Sequence, residues 1–463
     1  MSAAPLFVLG AGVALLLALL TVWRCYAASF AATALVLAAA LASVVPALRA
    51  AMPVMPGLFT FDGTALGGIG LVIGAALLIL LLAYPYWRGG QGRQPEVFCL
   101  LLLLATLGAA ALAACGSFIS LFLGLETMTL AMIGMIAFAR ERPQAEEAAL
   151  KYLILSGLSS AFLLLGMGLV ALASGSLALQ QPNGAGPLFT AGVAMLLIAA
   201  GFKLSVVPFH IWVPDIYAGA PAPAGAYVAV VPKIAVLAVI IRLVGAADTA
   251  MAPGVAEAMT LCAVFSMLIG NLLALLQDNI KRILGYSSIA HLGYLLVAIL
   301  AAGAIGQVAV LFYLVTYALT MIVAFGVVAV LSDAEQPGDA DRLAALAGLF
   351  WTRPVLAAIM TLALLSLAGL PPAIGFIAKM YIMAAGIHTA LWWLIGTMVV
   401  SSVIGLFYYL NIIIVMAQRP GGTETSPAPV PGRWVLAAAS LPLLGFGIAP
   451  QPLITLLRLV FGH

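Results

Sequence analysis

Long apolar runs separated by short polar turns make up almost the whole chain. A membrane-spanning helix needs about 20 largely apolar residues. By that measure the pattern predicts about fourteen spans, near residues 5–23, 29–48, 64–86, 97–114, 116–138, 146–173, 188–219, 224–244, 254–276, 283–302, 305–331, 354–386, 391–416 and 433–450. The fold class expected is therefore an all-α polytopic membrane protein. The segment 451–463 is too short to span and is expected to lie at the interface. The N-terminus lacks the basic region and cleavage site of a signal peptide, so the first run reads as a span retained in the mature chain.

Two of the runs are interrupted. The seventh contains GFKLSVVPFHIWVPDIYAGAPAPAGAYVAVVPK, with Pro208, Pro214, Pro221, Pro223 and Pro232 in or just beyond it. Prolines at this density break a helix, because each lacks a backbone donor and its ring crowds the preceding turn. The twelfth run, SLAGLPPAIGFIAKMYIMAAG, breaks at Pro371 and Pro372. Inside a bilayer a broken helix needs protein or a water-filled cavity around its freed backbone groups. The breaks are five spans apart, an odd number, so the two broken spans run in opposite directions. That is the arithmetic of two five-helix repeats with inverted topology, spans 4–8 and 9–13. The organisation expected is spans 1–3 over 1–95, the first repeat over 96–245, the second over 250–417, and a last span with an interfacial tail over 418–463.

Composition agrees with the pattern. The chain is 65% apolar and 7% charged, against roughly a quarter charged in soluble domains. A net charge of +3 gives no footing for nucleic acid; the expected surroundings are a lipid bilayer. The four cysteines, Cys25, Cys99, Cys115 and Cys262, are scattered without a CxxC pair or a Cys/His cluster. This argues against a metal, haem or iron–sulfur site held by this chain. The glycine-rich TALGGIG lacks a following Lys-Ser/Thr pair and is no phosphate loop. With the N-terminus outside, twelve Lys and Arg residues fall on the inner side, against Arg49, Arg242 and Arg458 outside. The positive-inside rule then puts both termini on the outer side. On this reading Lys281 and Arg282 simply obey that rule.

A few charges do not fit the loops. Glu126 lies about ten residues into its span, roughly 15 Å deep. Lys203, Lys233 and Lys379 lie near the middles of the seventh, eighth and twelfth runs. Lys151, in EEAALKYLILS after Pro143, is expected at a depth similar to Glu126 on the neighbouring antiparallel span. One charge at the bilayer centre costs about 2.5–3.5 kcal/mol on insertion scales, and such residues mark ion pathways and proton relays. A buried lysine disfavours its charged form, and a nearby carboxylate restores it. If Glu126 approaches Lys151 or Lys203 in one state and withdraws in another, proton affinity switches. Lys203, Lys233 and Lys379 then form a transverse relay, with water and His291 bridging gaps. The alternative for Glu126 is a fixed ion pair, and for His291 a hydrogen bond that glues helices together. His210 reads equally as a cap for freed carbonyls. Asp215 reads as a solvated or capping residue near the end of the seventh run.

These residues carry a resemblance. FLGLETMTLAMIGM, LKYLILSGLSSAFLLLGMGL, the seventh-run stretch through VPKIA, NLLALLQDNIKRILGYSSIAHLGYLLVA and LLSLAGLPPAIGFIAKMYI are similar to successive signature segments of the subunit N family of proton-pumping NADH–quinone oxidoreductase, respiratory complex I. The likeness covers roughly residues 95–415. It implies an antiporter-like proton-translocating subunit in the membrane arm of a large complex in a bacterial inner membrane. Other membrane-arm subunits would be its partners. NAD, FMN, iron–sulfur clusters and quinone would belong to partner subunits, with none on this chain. By motif, Glu126, Lys151, Lys203, Lys233 and Lys379 match the family's fifth-, sixth-, seventh-, eighth- and twelfth-span charges. Ala218 and Ala222 stand where the family motif has Glu and Thr, which removes an acidic group near the inner entrance. The alternatives are a subunit of an Mrp-type cation/proton antiporter and a structural membrane subunit that does not pump.

Overall fold

The computed structural model describes residues 2–49, 57–88, 94–139, 141–179, 186–246, 253–301, 303–332, 338–419 and 432–461. Arg93, Arg140 and His463 lie outside them. Regular structure among the described residues is helical, apart from isolated bridges such as Phe59 with Cys115. The helices are α1 (Ala4–Val22), α2 (Tyr26–Arg49), α3 (Gly63–Trp87), α4 (Pro95–Ala113), α5 (Phe118–Ile136), α6 (Pro143–Ser174), α7 (Pro187–Leu204), α8 (Trp212–Gly219), α9 (Ala222–Ala246), α10 (Pro253–Ala274), α11 (Ile280–Leu300), α12 (Gly303–Leu331), α13 (Leu349–Thr352), α14 (Pro354–Ala368), α15 (Ile374–His388), α16 (Trp392–Ala417), α17 (Arg433–Ile448) and α18 (Gln451–Phe461).

The helix starts follow local chemistry. Proline stands in the first two positions of α1, α4, α6, α7 and α14, where its missing N–H costs nothing. Asp62 caps α3, Asn279 caps α11, and Ser117 with Ser120 forms a reciprocal cap on α5. Among the described residues, twelve helices are long and apolar enough to cross a bilayer, counting α7 as one. The expected fourteen is reached when α14 with α15, and α17, each serve as a span. The helix α18 turns 94° from α17 and packs Leu453, Ile454 and Leu457 against the rest of the protein.

Both expected breaks are present. Between α7 and α8 the chain turns at Ser205, with φ 64°. The Val207 amide freed there donates to Ser266 Oγ at 2.9 Å, and Trp212 Nε1 donates to the Phe202 carbonyl at 3.2 Å. Protein groups thus satisfy backbone that lipid could not. Between α14 and α15 the turn is made at Gly369, with φ 77°. The prolines do less damage elsewhere: Pro232 lies within α9 without ending it.

The centre of the bundle is α9, α11 and α12, which are buried almost throughout, whereas α1, α2, α10 and α16 keep broad exposed faces. Helices α4 and α5 approach closely at Gly108 and Gly124, where a Cβ on either would strike the facing backbone. Small residues allow such contact between spanning helices. The central helices carry Lys233 and His291, and the close α4–α5 pair carries Glu126.

Candidate functional site

The three lysines expected at mid-depth are buried and hold no carboxylate. Lys203 is 3% exposed, Lys233 1% and Lys379 6%. Lys203 lies in the last turn of α7, beside the first break. It donates to Thr129 Oγ1 of α5 at 2.9 Å and stands 5.7 Å from the Tyr152 and Phe202 ring centroids. Lys379 reaches back from α15 to the Ala368 carbonyl at the end of α14, at 2.7 Å, and donates to Ser402 Oγ of α16 at 2.8 Å. At the second break a cation thus meets the electronegative C-terminus of a half-helix. Lys233, within α9, donates to the Tyr217 hydroxyl of α8 at 2.6 Å.

From Lys233 a run of hydroxyls leads inward. Tyr217 lies 3.4 Å from Ser288 Oγ, which lies 2.7 Å from the Tyr317 hydroxyl. The Tyr317 ring is 5.9 Å from the His291 ring, centroid to centroid. A tyrosine hydroxyl meets each nitrogen of His291: Tyr313 at Nδ1, 2.6 Å, and Tyr409 at Nε2, 3.2 Å. Tyr409 also bonds Ser287. A cavity of about 10 Å³ between His291, Tyr317, Thr320 and Ser366 is about the size that takes one water.

Glu126 is half-buried and accepts from Ser160 of α6. It makes no ion pair within 4.0 Å with any lysine among the described residues. Thr129, the partner of Lys203, is three residues along the same helix, so Glu126 and Lys203 border one region. The depth match expected for Lys151 and Glu126 does not hold. Lys151 sits nine residues before Ser160 on α6, roughly 14 Å along the axis. It is 42% exposed at the side chain and pairs with Glu147 at 2.7 Å and Asp215 at 2.9 Å.

Lys151 instead lines the mouth of a polar cavity of about 990 Å³ on the Lys- and Arg-rich side, with Asp215, Lys281, Arg282, Ala218 and Asp339. Asp215 is not simply solvated: it bridges Lys151 and Arg282, the latter at 2.8 Å. Nor is Lys281 a surface charge. It is buried and donates to the Ala220 carbonyl at 2.9 Å and to Asp339 at 2.7 Å. Asp339, fully buried, also accepts from Arg142 at 2.9 Å and Tyr86 at 2.6 Å. Burial by itself would raise the Asp339 carboxyl, but Lys281 and Arg142 together hold it below the ordinary carboxylate range. On the opposite side Arg242, read from sequence as a loop charge, is buried against Asp62 at 2.9 Å and the Cys115 and Ala113 carbonyls.

His210 and His388 join none of these clusters. The hydroxyl run of Tyr217, Tyr313, Tyr317 and Tyr409, and the Asp339 cluster, went unread in the sequence. The spacing of Tyr313 and Tyr317, one turn apart on a central helix, was the one signal available for the tyrosines.

An all-helical bundle with buried lysines at two helix breaks defines a membrane protein of the antiporter type. The family model for NADH:quinone oxidoreductase/Mrp antiporter transmembrane proteins matches residues 115–405, and the chain belongs to that family. It is 41% identical to NADH-quinone oxidoreductase subunit N of Ectopseudomonas mendocina (strain ymp) over 449 residues, covering 94% of this chain and 91% of the relative. Among solved structures it is similar to a chain of respiratory complex I from Thermus thermophilus with bound aureothin. The TM-score there is 0.85 at 34% identity, covering 97% of this chain and 98% of that one. The Mrp complex from Dietzia sp. DQ12-45-1b shares the fold, with TM-score 0.86 at 21% identity over 100% of this chain and 97% of that one. The resemblance read from the signature segments to the subunit N family holds. The chain is an integral, multi-pass membrane protein.

Proposed function

We propose that the chain translocates protons as the antiporter-like subunit N of the membrane arm of an NADH-quinone oxidoreductase, driven by quinone reduction in other subunits. One observation carries this reading: three lysines buried inside the helical bundle have only neutral partners. A permanent ion pair would hold each proton in place. A lysine among hydroxyls and carbonyls can release and regain a proton without stranding a counter-charge.

In this scheme Glu126, held by Ser160, moves toward or away from Lys203 and switches its hold on a proton. The proton passes to Lys233 and along Tyr217, Ser288 and Tyr317. A water in the small cavity beside Tyr317 and His291 would carry it to His291, which has a hydroxyl at each nitrogen and hands it on to Lys379, facing the outer side. Lys151 serves at the entrance with Asp215 rather than at the centre. The chain would lie in a bacterial inner membrane with both termini outside, its repeats being spans 4–8 and 9–13. NAD, FMN, iron–sulfur clusters and quinone would be held by partner subunits. The higher identity to the subunit N relative and to the complex I chain, against 21% for the Mrp structure, favours this reading over an Mrp-type antiporter.

The test is Lys203→Ala in the purified complex in liposomes. Loss of proton uptake is expected with assembly retained. Normal uptake with normal quinone reduction would sink the relay. Sodium-dependent antiport by the chain without flavin-bearing partners would favour the Mrp reading.

A further inference from the structure

Asn271, three residues before the end of α10, is the one amide among the buried polar side chains described. Burying an amide without partners costs several kcal/mol, and this one is fully partnered. Its Nδ2 faces the Met267 carbonyl at 3.1 Å, Tyr294 Oη of α11 at 3.2 Å and Ser401 Oγ of α16 at 2.6 Å. Its Oδ1 accepts from Tyr408 at 2.7 Å. Helix α16 leaves room for the amide at Gly405, where a Cβ would come within 3.0 Å of Oδ1. Ser401, in turn, bonds Tyr294 at 3.0 Å and donates to the Met267 carbonyl at 2.8 Å. The tip of the Tyr294 ring is thus fixed twice, to one carbonyl of α10.

The face of that ring lies toward Lys379, with Nζ 5.3 Å from the centroid. An ammonium has three donors. Two of them meet Ala368 O and Ser402 Oγ, and the aromatic face is the remaining partner the structure offers. A cation over a desolvated ring is held by the ring quadrupole, provided the ring is presented face-on. The amide makes no hydrogen bond to Lys379, yet it sets the angle of the surface on which the ammonium rests.

We infer that Asn271 is a positioning residue for Lys379, acting through the anchored ring of Tyr294. This rests on the reading of Lys379 as the last carrier of the relay.

The test uses the assembled complex in liposomes and reads protons moved per electron against quinone reduction. Tyr294→Phe keeps the ring and removes only its anchored hydroxyl; Asn271→Leu removes one of the two anchors. Each is expected to lower pumping per electron at least about twofold, the seating of Lys379 shifting by roughly five- to thirtyfold. The double variant is expected to lose no more than the worse single, since both break the same Asn271–Tyr294 bond. Tyr408→Phe removes the bond on the amide oxygen and leaves the bonds of Tyr294 in place; it is expected to lose less pumping than Tyr294→Phe. A role in helix packing alone predicts equal losses for Tyr408→Phe and Tyr294→Phe, or additive losses in the double variant, and either result overturns the inference. If Asn271→Leu fails to assemble, Tyr294→Phe decides. Lys379→Ala is measured alongside. Loss there with normal pumping in Tyr294→Phe overturns the positioning role and leaves the relay standing, whereas normal pumping in Lys379→Ala overturns both.

Discussion

The Lys233 ammonium donates to the Tyr217 hydroxyl across 2.6 Å, and these two residues come from opposite sides of the junction between α8 and α9. A bond of this kind, from an ionised donor, is worth about 1.5–3 kcal/mol. Tyr217→Phe leaves the buried ammonium without that acceptor and interrupts the hydroxyl run at its first member. Proton pumping is expected to fall by an order of magnitude or so, with quinone reduction affected less. Pumping at the level of the unaltered complex would show that Tyr217 only fills space.

Thr129 offers Lys203 its one hydrogen-bond acceptor among the described residues. Thr129→Val keeps the shape and removes the oxygen, whereas Thr129→Ser keeps the oxygen and loses a methyl. The Val variant is expected to pump poorly and the Ser variant close to normally. Proton uptake by vesicles carrying each variant separates the two, and equal behaviour would assign Thr129 to packing.

Lysines and glutamate inside apolar runs were legible because charge there is rare and costly, so Lys203, Lys233, Lys379 and Glu126 stood out without any structure. The breaks were legible because proline leaves a backbone gap wherever it falls. The hydroxyl run was not, because tyrosine and serine occur throughout spanning helices and only their partners distinguish them. Lys151 shows the limit from the other side. Residue counting from Pro143 placed it at mid-depth, but Asp215, 64 residues on, draws its ammonium to the cavity mouth. Asp339 reads as one more loop acid until its reach to Arg142, 197 residues away, is seen.

Asp339→Asn is expected to weaken the protein by about 3–5 kcal/mol, the usual cost of breaking a buried pair from one side. Arg142 then loses its carboxylate, and Lys281 keeps only the longer pair to Asp341 at 3.5 Å. The same cluster sets a pH dependence. Because the folded protein holds the Asp339 carboxyl low, its contribution is present above the unfolded carboxylate range near pH 4. It is lost as acid carries the pH down through the folded value. Thermal melts of detergent-solubilised complex from neutral to acid pH should show this loss in the unaltered protein and not in Asp339→Asn.

At Gly369 an added methyl falls on the Lys379 side chain, in a backbone conformation with φ 77° that side chains disfavour. Gly369→Ala is expected to cost about 1–3 kcal/mol and to displace the lysine, lowering pumping as Lys379→Ala does. Pumping unchanged from the unaltered complex would mean that the position of Lys379 is not critical.

The bond from the Val207 amide to Ser266 fixes more than one backbone group. Val207 is in the first break, whereas Ser266 stands on α10, in the later half of the chain. Rocking of one half against the other, the stroke of many transporters, would have to tear that stitch or drag the broken segment with it. A proton asks for no such stroke. It needs only a hydroxyl to turn or an ammonium to lean, movements that leave the seam between the halves sewn.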